Sequence, residues 1–180
     1  MTTCTTSWRI SRHCVRTIAP LLFTGAVVAQ STPDGWTTYH GDHTGRRHSR
    51  LAQLTPDNIH QITLAWAFAT GDTASIKATP IVSNGIVYVT TPDNVWAIDA
   101  RSARQIWRYS YPANEGFHIG HRGVAIDKDT VFFTTPDAHL VALDAHKGTV
   151  KWNVVIADAK KGYWSTNAPL VIRNHIIVGV

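Results

Sequence analysis

The stretch Ala142 to Trp152, ALDAHKGTVKW, restates what the chain has already written at Ala97 to Trp107, AIDARSARQIW. From Trp107 to Trp152 the period is 45 residues, and the flanks repeat too: IVYVTTPDNVWAID, Ile86 to Asp99, against TVFFTTPDAHLVALD, Thr130 to Asp144. A third copy opens at APLVIRNHIIVGV, where Pro169 answers Pro80 at 89 residues, close to two periods. Repeats of about 40–45 residues built from short β-rich runs are the signature of propeller blades. A helical repeat of that length would need a 3.6-residue apolar period, and none is present.

Within each copy the punctuation sets the strands. PIVS, IVYVTT, VWAID and QIWRYSY fit four strands of a first blade over 78–111, with Asn84-Gly85 as a two-residue hairpin turn that wants positive φ at both positions. Pro92-Asp93-Asn94 supplies the next turn. A second blade spans 120–158, with turns at Asp127 to Asp129, Pro136 to Ala138 and His146 to Gly148, and a third begins at 165–180. Ahead of them lies a glycine-containing lead-in over 30–71. There Trp36, Tyr39 and Leu51 are expected anchors, and Thr55-Pro56 is placed to start a short helix. Ile62 to Thr70 reads as a strand that completes the last blade of a ring. The fold class is therefore all-β, a partial β-propeller, and a ring of four to eight such units closes only with more blades than 180 residues hold.

Composition narrows the functional classes. The formal charge is +5. Arg9, Arg12 and Arg16 supply +3 of it inside the acid-free first 29 residues, so the remainder carries only +2 and offers no nucleic-acid stripe. Met1 to Ala29 has the build of a signal peptide: a cationic start, the apolar run IAPLLFTGAVVA, and small residues Val27 and Ala29 before Gln30. That run is too short to span a bilayer, which takes about 20 residues, so a periplasmic location without a membrane span is expected. Both cysteines, Cys4 and Cys14, fall in this leader.

Among candidate chemical groups, Asp99 and Asp144 belong to the repeated motif and read as turn-capping acceptors, as do Asp93 and Asp137 after their prolines. His40 with His43, and His118 with His121, are spaced as a metal could use, but no third ligand stands near either pair. They read as loop histidines.

The lead-in LAQLTPDNIHQITLAWAFATG, the repeated A-x-D-x-x-x-G-x-x-x-W motif, GHRGVA (Gly120 to Ala125) and STNAPLVIRNHIIVGV together resemble the quinoprotein alcohol dehydrogenases, the methanol and ethanol dehydrogenase family that uses pyrroloquinoline quinone, PQQ. The resemblance runs from Trp36 to Val180. It implies an eight-bladed propeller, with Trp107 and Trp152 as docking tryptophans between blades. It also implies PQQ near the axis, calcium, an alcohol substrate and a cytochrome c-type electron acceptor.

Carried over residue by residue, Arg122 is the arginine that binds the cofactor carboxylates, and Thr166 is the threonine that hydrogen-bonds the cofactor. Lys77 stands where some relatives place a cofactor-contacting glutamate. Phe117 and Gly116 stand where many relatives carry adjacent cysteines, which leaves His118 or Phe117 to stack there instead. Ala103 replaces the glycine that Gly148 keeps, and an alanine held at positive φ loses on the order of 1 kcal/mol. The resemblance puts the calcium ligands and the general base beyond Val180, so no catalytic or metal residue is assigned here, and these residues alone are expected to be inactive. The alternatives are a non-catalytic propeller scaffold of the kind that assists outer-membrane protein assembly, or a truncated gene product.

Overall fold

The computed structural model describes residues 35–111 and 119–180. The proposed signal peptide and His118 lie outside the described residues. Two four-stranded antiparallel meanders follow one another, then a two-stranded hairpin. The first sheet is β1 (Ile81–Ser83), β2 (Ile86–Thr91), β3 (Asn94–Asp99) and β4 (Gln105–Ser110). The second is β5 (Ala125–Asp127), β6 (Thr130–Thr134), β7 (His139–Asp144) and β8 (Val150–Val155), and the hairpin is β9 (Leu170–Ile172) with β10 (His175–Ile177). First strands neighbour first strands, β1 beside β5 and β5 beside β9, as in blades set around an axis.

The turns form where residue chemistry permits them. Asn84 and Gly85 both take positive φ, 50° and 75°, as a two-residue hairpin requires. The Asp99 carboxylate accepts from the Arg101 and Ser102 amides, and Asp144 does the same for His146 and Lys147. The turn-capping reading of these aspartates is borne out.

Period-two alternation divides the second blade between two neighbours. Val131, Phe133, Val141 and Leu143 point into one core with Ile81, Tyr88, Val95, Ala97 and Trp107 of the first blade. The intervening Phe132, Leu140 and Ala142 point the other way, against Val171 and Ile176 of the third. Each large side chain buried in this way contributes about 1.5–3 kcal/mol. A β-bulge then displaces the last strand of both blades, at Ala97/Ile98 opposite β4 and at Ala142/Leu143 opposite β8. It falls just before each docking tryptophan and re-aims it out of its own blade. Trp107 reaches across to the next blade, where its indole N–H donates to the Ala145 carbonyl at 2.9 Å and its ring lies under Gly148.

Three expectations change. Residues 62–71 form no strand: Leu64 is 83% exposed, so no sheet covers the segment among the described residues. Its Trp66 nevertheless donates to the Ala100 carbonyl at 2.9 Å, docking on the first blade as Trp107 docks on the second. Leu51 is exposed and anchors nothing. The helical turn after Thr55 is present, with the Thr55 carbonyl accepting from Asn58 and Ile59, but regular 3-10 helix comes only at Ile59–Gln61, and it is Asn58 that caps back onto the Thr55 amide.

Candidate functional site

In a meander, odd strands start and even strands finish at the same end of the blade. One end of each blade therefore gathers the segments before β1, β5 and β9 with the turns 91–94 and 135–138. The docking turns 100–104 and 145–149 sit at the other end. Every cofactor candidate among the described residues falls at the first end.

Two glycines decide how these segments meet. A Cβ on Gly120 would lie 2.5 Å from the Ser75 carbonyl oxygen, and one on Gly123 would lie 2.9 Å from that of Thr79. Gly123 also holds φ at 113°, a value L-residues rarely adopt. Only with glycine at both places can residues 120–123 lie flat along residues 75–79. The consequence is that Lys77, whose backbone nitrogen comes 3.6 Å from the Gly120 Cβ position, stands beside the segment that carries Arg122.

The Arg122 backbone then ties three blades together. Its N–H donates to the Thr166 carbonyl at 3.0 Å, and its carbonyl accepts from the Thr79 amide at 3.2 Å. With its main chain fixed by both neighbours, the Arg122 guanidinium is free to project, and the residue is exposed. Lys77 is exposed as well, and Thr166 is half-buried. Ser165, just before it, is buried, and its hydroxyl donates to the Gly179 carbonyl at 2.8 Å, pinning this strand start to the end of the hairpin.

A second network braces the same end. Asp72 accepts from the Thr91 hydroxyl, from the Asn94 amide at 3.0 Å and from the Ala74 backbone N–H at 2.9 Å. The Thr91 and Ala74 bonds hold its carboxyl below the ordinary range, against the opposing effect of burial. Asn94 in turn accepts from Arg108 and Ser110. The equivalent turn of the second blade is braced differently, by Tyr111 donating to Asp137 at 3.1 Å.

The sequence-predicted residues Arg122, Thr166 and Lys77 are thus brought to one end of the sheets, with Arg122 and Thr166 joined through their backbones. His118 is not among the described residues. Sequence reasoning missed the Asp72 brace, and it left open the burial of His121, a loop histidine as expected but only 2% exposed. The available signal was its setting between two residues of the GHRG segment. Two cations and a hydroxyl on one rim suit a planar polyanion, since a guanidinium meets a carboxylate with two parallel donors. Among the described residues no cluster of three His, Cys, Asp or Glu could hold a metal ion. None of their helices is long and apolar enough to cross a membrane.

This arrangement can now be set beside known proteins. Residues 36–180 match the family described as PQQ, glucose/ethanol/alcohol dehydrogenase, beta-propeller domain. The chain belongs to this family. It is 39% identical over 153 residues to a 1-butanol dehydrogenase (cytochrome c) of Thauera butanivorans, an overlap of 80% of this chain and 22% of that one. A quinohemoprotein alcohol dehydrogenase of Pseudomonas putida is 34% identical over 162 residues, covering 85% of this chain and 22% of its own. Among solved structures, the quinohemoprotein alcohol dehydrogenase of Comamonas testosteroni superposes with a TM-score of 0.72 at 33% identity, over 81% of this chain and 23% of that one. A europium-containing methanol dehydrogenase gives 0.72 at 30% identity, over 83% of this chain and 28% of its own. The chain spans about a quarter of the length of the proteins it matches. The partial propeller expected from the repeat, and its quinoprotein type expected from the resemblance, are borne out.

Proposed function

We propose that this chain supplies the first blades, and one cationic wall of the cofactor site, of a periplasmic PQQ-dependent dehydrogenase that oxidises a primary alcohol and passes the electrons to a cytochrome c-type acceptor. The observation that carries this reading is the GHRG segment. Its glycines lay it on residues 75–79, and its arginine is held by backbone bonds to Thr79 and Thr166. A propeller that served only as a scaffold would have no use for an exposed arginine fixed so closely at the blade starts.

The residues present fit the group. PQQ is planar and carries carboxylates; Arg122 would take a carboxylate with its fork, Lys77 would add a second positive charge, and the Thr166 hydroxyl would donate to a ring oxygen. Bound PQQ would supply a two-electron acceptor for the alcohol. The part played by these residues is to bind and orient it, which makes its reactive edge available at low entropic cost. No described residue is assigned as a calcium ligand or as the general base, and turnover needs both oxygen ligands for the ion and a positioned base.

The test is dye-linked oxidation of primary alcohols by the protein as expressed from its own gene, with PQQ and either Ca²⁺ or a lanthanide added. PQQ-dependent dye reduction is the expected result. No reduction with either ion across short-chain alcohols would overturn the proposal.

A further inference from the structure

His121 is a buried polar side chain beside the proposed cofactor arginine, and the reading above gives it no task. Its Nδ1 lies 3.3 Å from the Gly123 backbone nitrogen and 3.3 Å from the Gly123 oxygen. Its ring stacks at 6.0 Å and 31° on Phe133. Nε2 is fully buried without a partner of hydrogen-bond geometry, and the nearby Thr91 backbone favours a proton on the ring.

The two contacts at Nδ1 are not equivalent. Among the described residues the Gly123 N–H has no acceptor other than Nδ1, and a buried backbone donor left unpaired is costly. A proton on Nδ1 would turn donor against donor. With the Nδ1 lone pair facing the Gly123 amide, the ring proton sits on Nε2 on the side of Thr91; the opposite tautomer would donate from Nδ1 to the Gly123 carbonyl and leave that amide unpaired.

We propose that neutral His121, accepting the Gly123 amide proton on Nδ1, is the positioning residue that holds the Arg122 backbone between the blades. It acts through geometry. Gly123 is the next residue after Arg122, and the contact of its amide with Nδ1 helps fix the φ of 113° at which residues 120–123 lie along residues 75–79. The groups facing the ring from the neighbouring elements are Phe133 of β6, the Thr91 backbone at the end of β2 and the Gly123 backbone. None of these is charged. The nearest link to a charge is Asp72, reached through the Thr91 hydroxyl.

Burial pushes the imidazole down to about 4, outweighing the Gly123 and Thr91 backbone, which would accept from a charged ring. An unfolded histidine titrates near 6.5. The folded pKa is therefore depressed, and the unfolded state takes up the proton first as pH falls. The contribution to folding stability is complete above about pH 6.5 and declines as pH falls from there toward 4, while the bond to Gly123 itself opens as the folded ring titrates near 4.

The functional meaning rests on the reading of Arg122 as a cofactor ligand, whereas the positioning rests on geometry alone, so the experiment separates them. The first readout uses the cofactor-free protein as expressed: the His121 tautomer and titration by NMR, with exchange of the Arg122 and Gly123 amides corrected for intrinsic rate. Expected are the Nε2–H tautomer, a midpoint well below 6.5, and amide protection that falls along the same titration. His121→Asn places an amide oxygen where Nδ1 was and cannot titrate, so protection persists at neutral pH and its acid dependence disappears. His121→Phe keeps a ring on Phe133 but offers no acceptor, and Gly123 exchange rises about tenfold, the worth of one hydrogen bond. A ring titrating near 6.5, or unchanged Gly123 exchange in His121→Phe, overturns the positioning role. If His121→Phe fails to fold, wild type and His121→Asn still decide between these outcomes. The second readout is PQQ affinity. If exchange responds as described while affinity does not, His121 positions the segment and the assignment of Arg122 to PQQ is what fails.

Discussion

Trp107 and Trp152 occupy the same point in two copies of one strand, each directly after a β-bulge, yet Trp107 is 7% exposed and Trp152 is 37% exposed. Trp107 has a receiver, the Ala145 carbonyl and the face of Gly148 on the next blade. Among the described residues, the ring contact of Trp152 is with Phe132 of its own blade, 5.7 Å away, and all six residues of β8 are exposed. The strand sequence and its bulge aim the ring. What buries it is the turn of the following blade, so the energy of this repeat lies between units rather than within them.

The largest effect should separate the two tryptophans directly. Trp107→Ala is expected to cost about 3–5 kcal/mol, as for a fully buried aromatic, and Trp152→Ala about 1 kcal/mol in the same 180 residues, both by urea denaturation. Equal losses would mean that the receiver contributes nothing.

Next come the receiving turns. A Cβ on Gly148 would meet the Trp107 ring at 2.7 Å at a φ of 69°, so Gly148→Ala should cost about 2 kcal/mol. Ala103 already holds φ at 58°, as its place in the motif predicts. Ala103→Gly relieves about 1 kcal/mol of backbone strain, partly offset by the greater freedom of the unfolded chain, for a net gain of about 0.5 kcal/mol. A destabilised Ala103→Gly variant would break the equivalence of the two turns.

The smallest effect concerns the braces at the opposite end, Asp72 in the first blade and Tyr111 with Asp137 in the second. Hydrogen bonding lowers the Asp72 carboxyl, so its contribution is present above the ordinary aspartate pKa and disappears as pH falls below it. Asp72→Asn should lower stability at neutral pH, where the carboxylate contributes, and flatten the acid limb of the stability profile. An unaltered acid limb would remove the brace from the account.

How much of this could be read in the sequence follows from what a repeat encodes. The strands of both blades, the Asn84-Gly85 turn, the capping aspartates and the strained Ala103 were legible because each depends on neighbours within a few residues. The convergence of Lys77, Arg122 and Thr166 was legible only through family resemblance, since it is made by Gly120 and Gly123 against residues more than forty positions earlier. The lead-in keeps a strand's alternating pattern but has no sheet partner among the described residues; such a pattern states which face wants burial, not whether a partner is there to cover it. His121 was read correctly as a loop histidine, but its burial was not legible, because Phe133 and the Thr91 turn that close over it come from other strands.

The central claim, that this end of the blades presents Arg122 to the cofactor, is tested most directly by PQQ titration of the protein as expressed, of Arg122→Ala, and of Arg101→Ala at the opposite end as control. The account predicts that Arg122→Ala weakens binding about 10–100-fold, the worth of a charge-assisted hydrogen bond or two, while Arg101→Ala binds as wild type does. Equal affinity for PQQ in wild type and Arg122→Ala would contradict it.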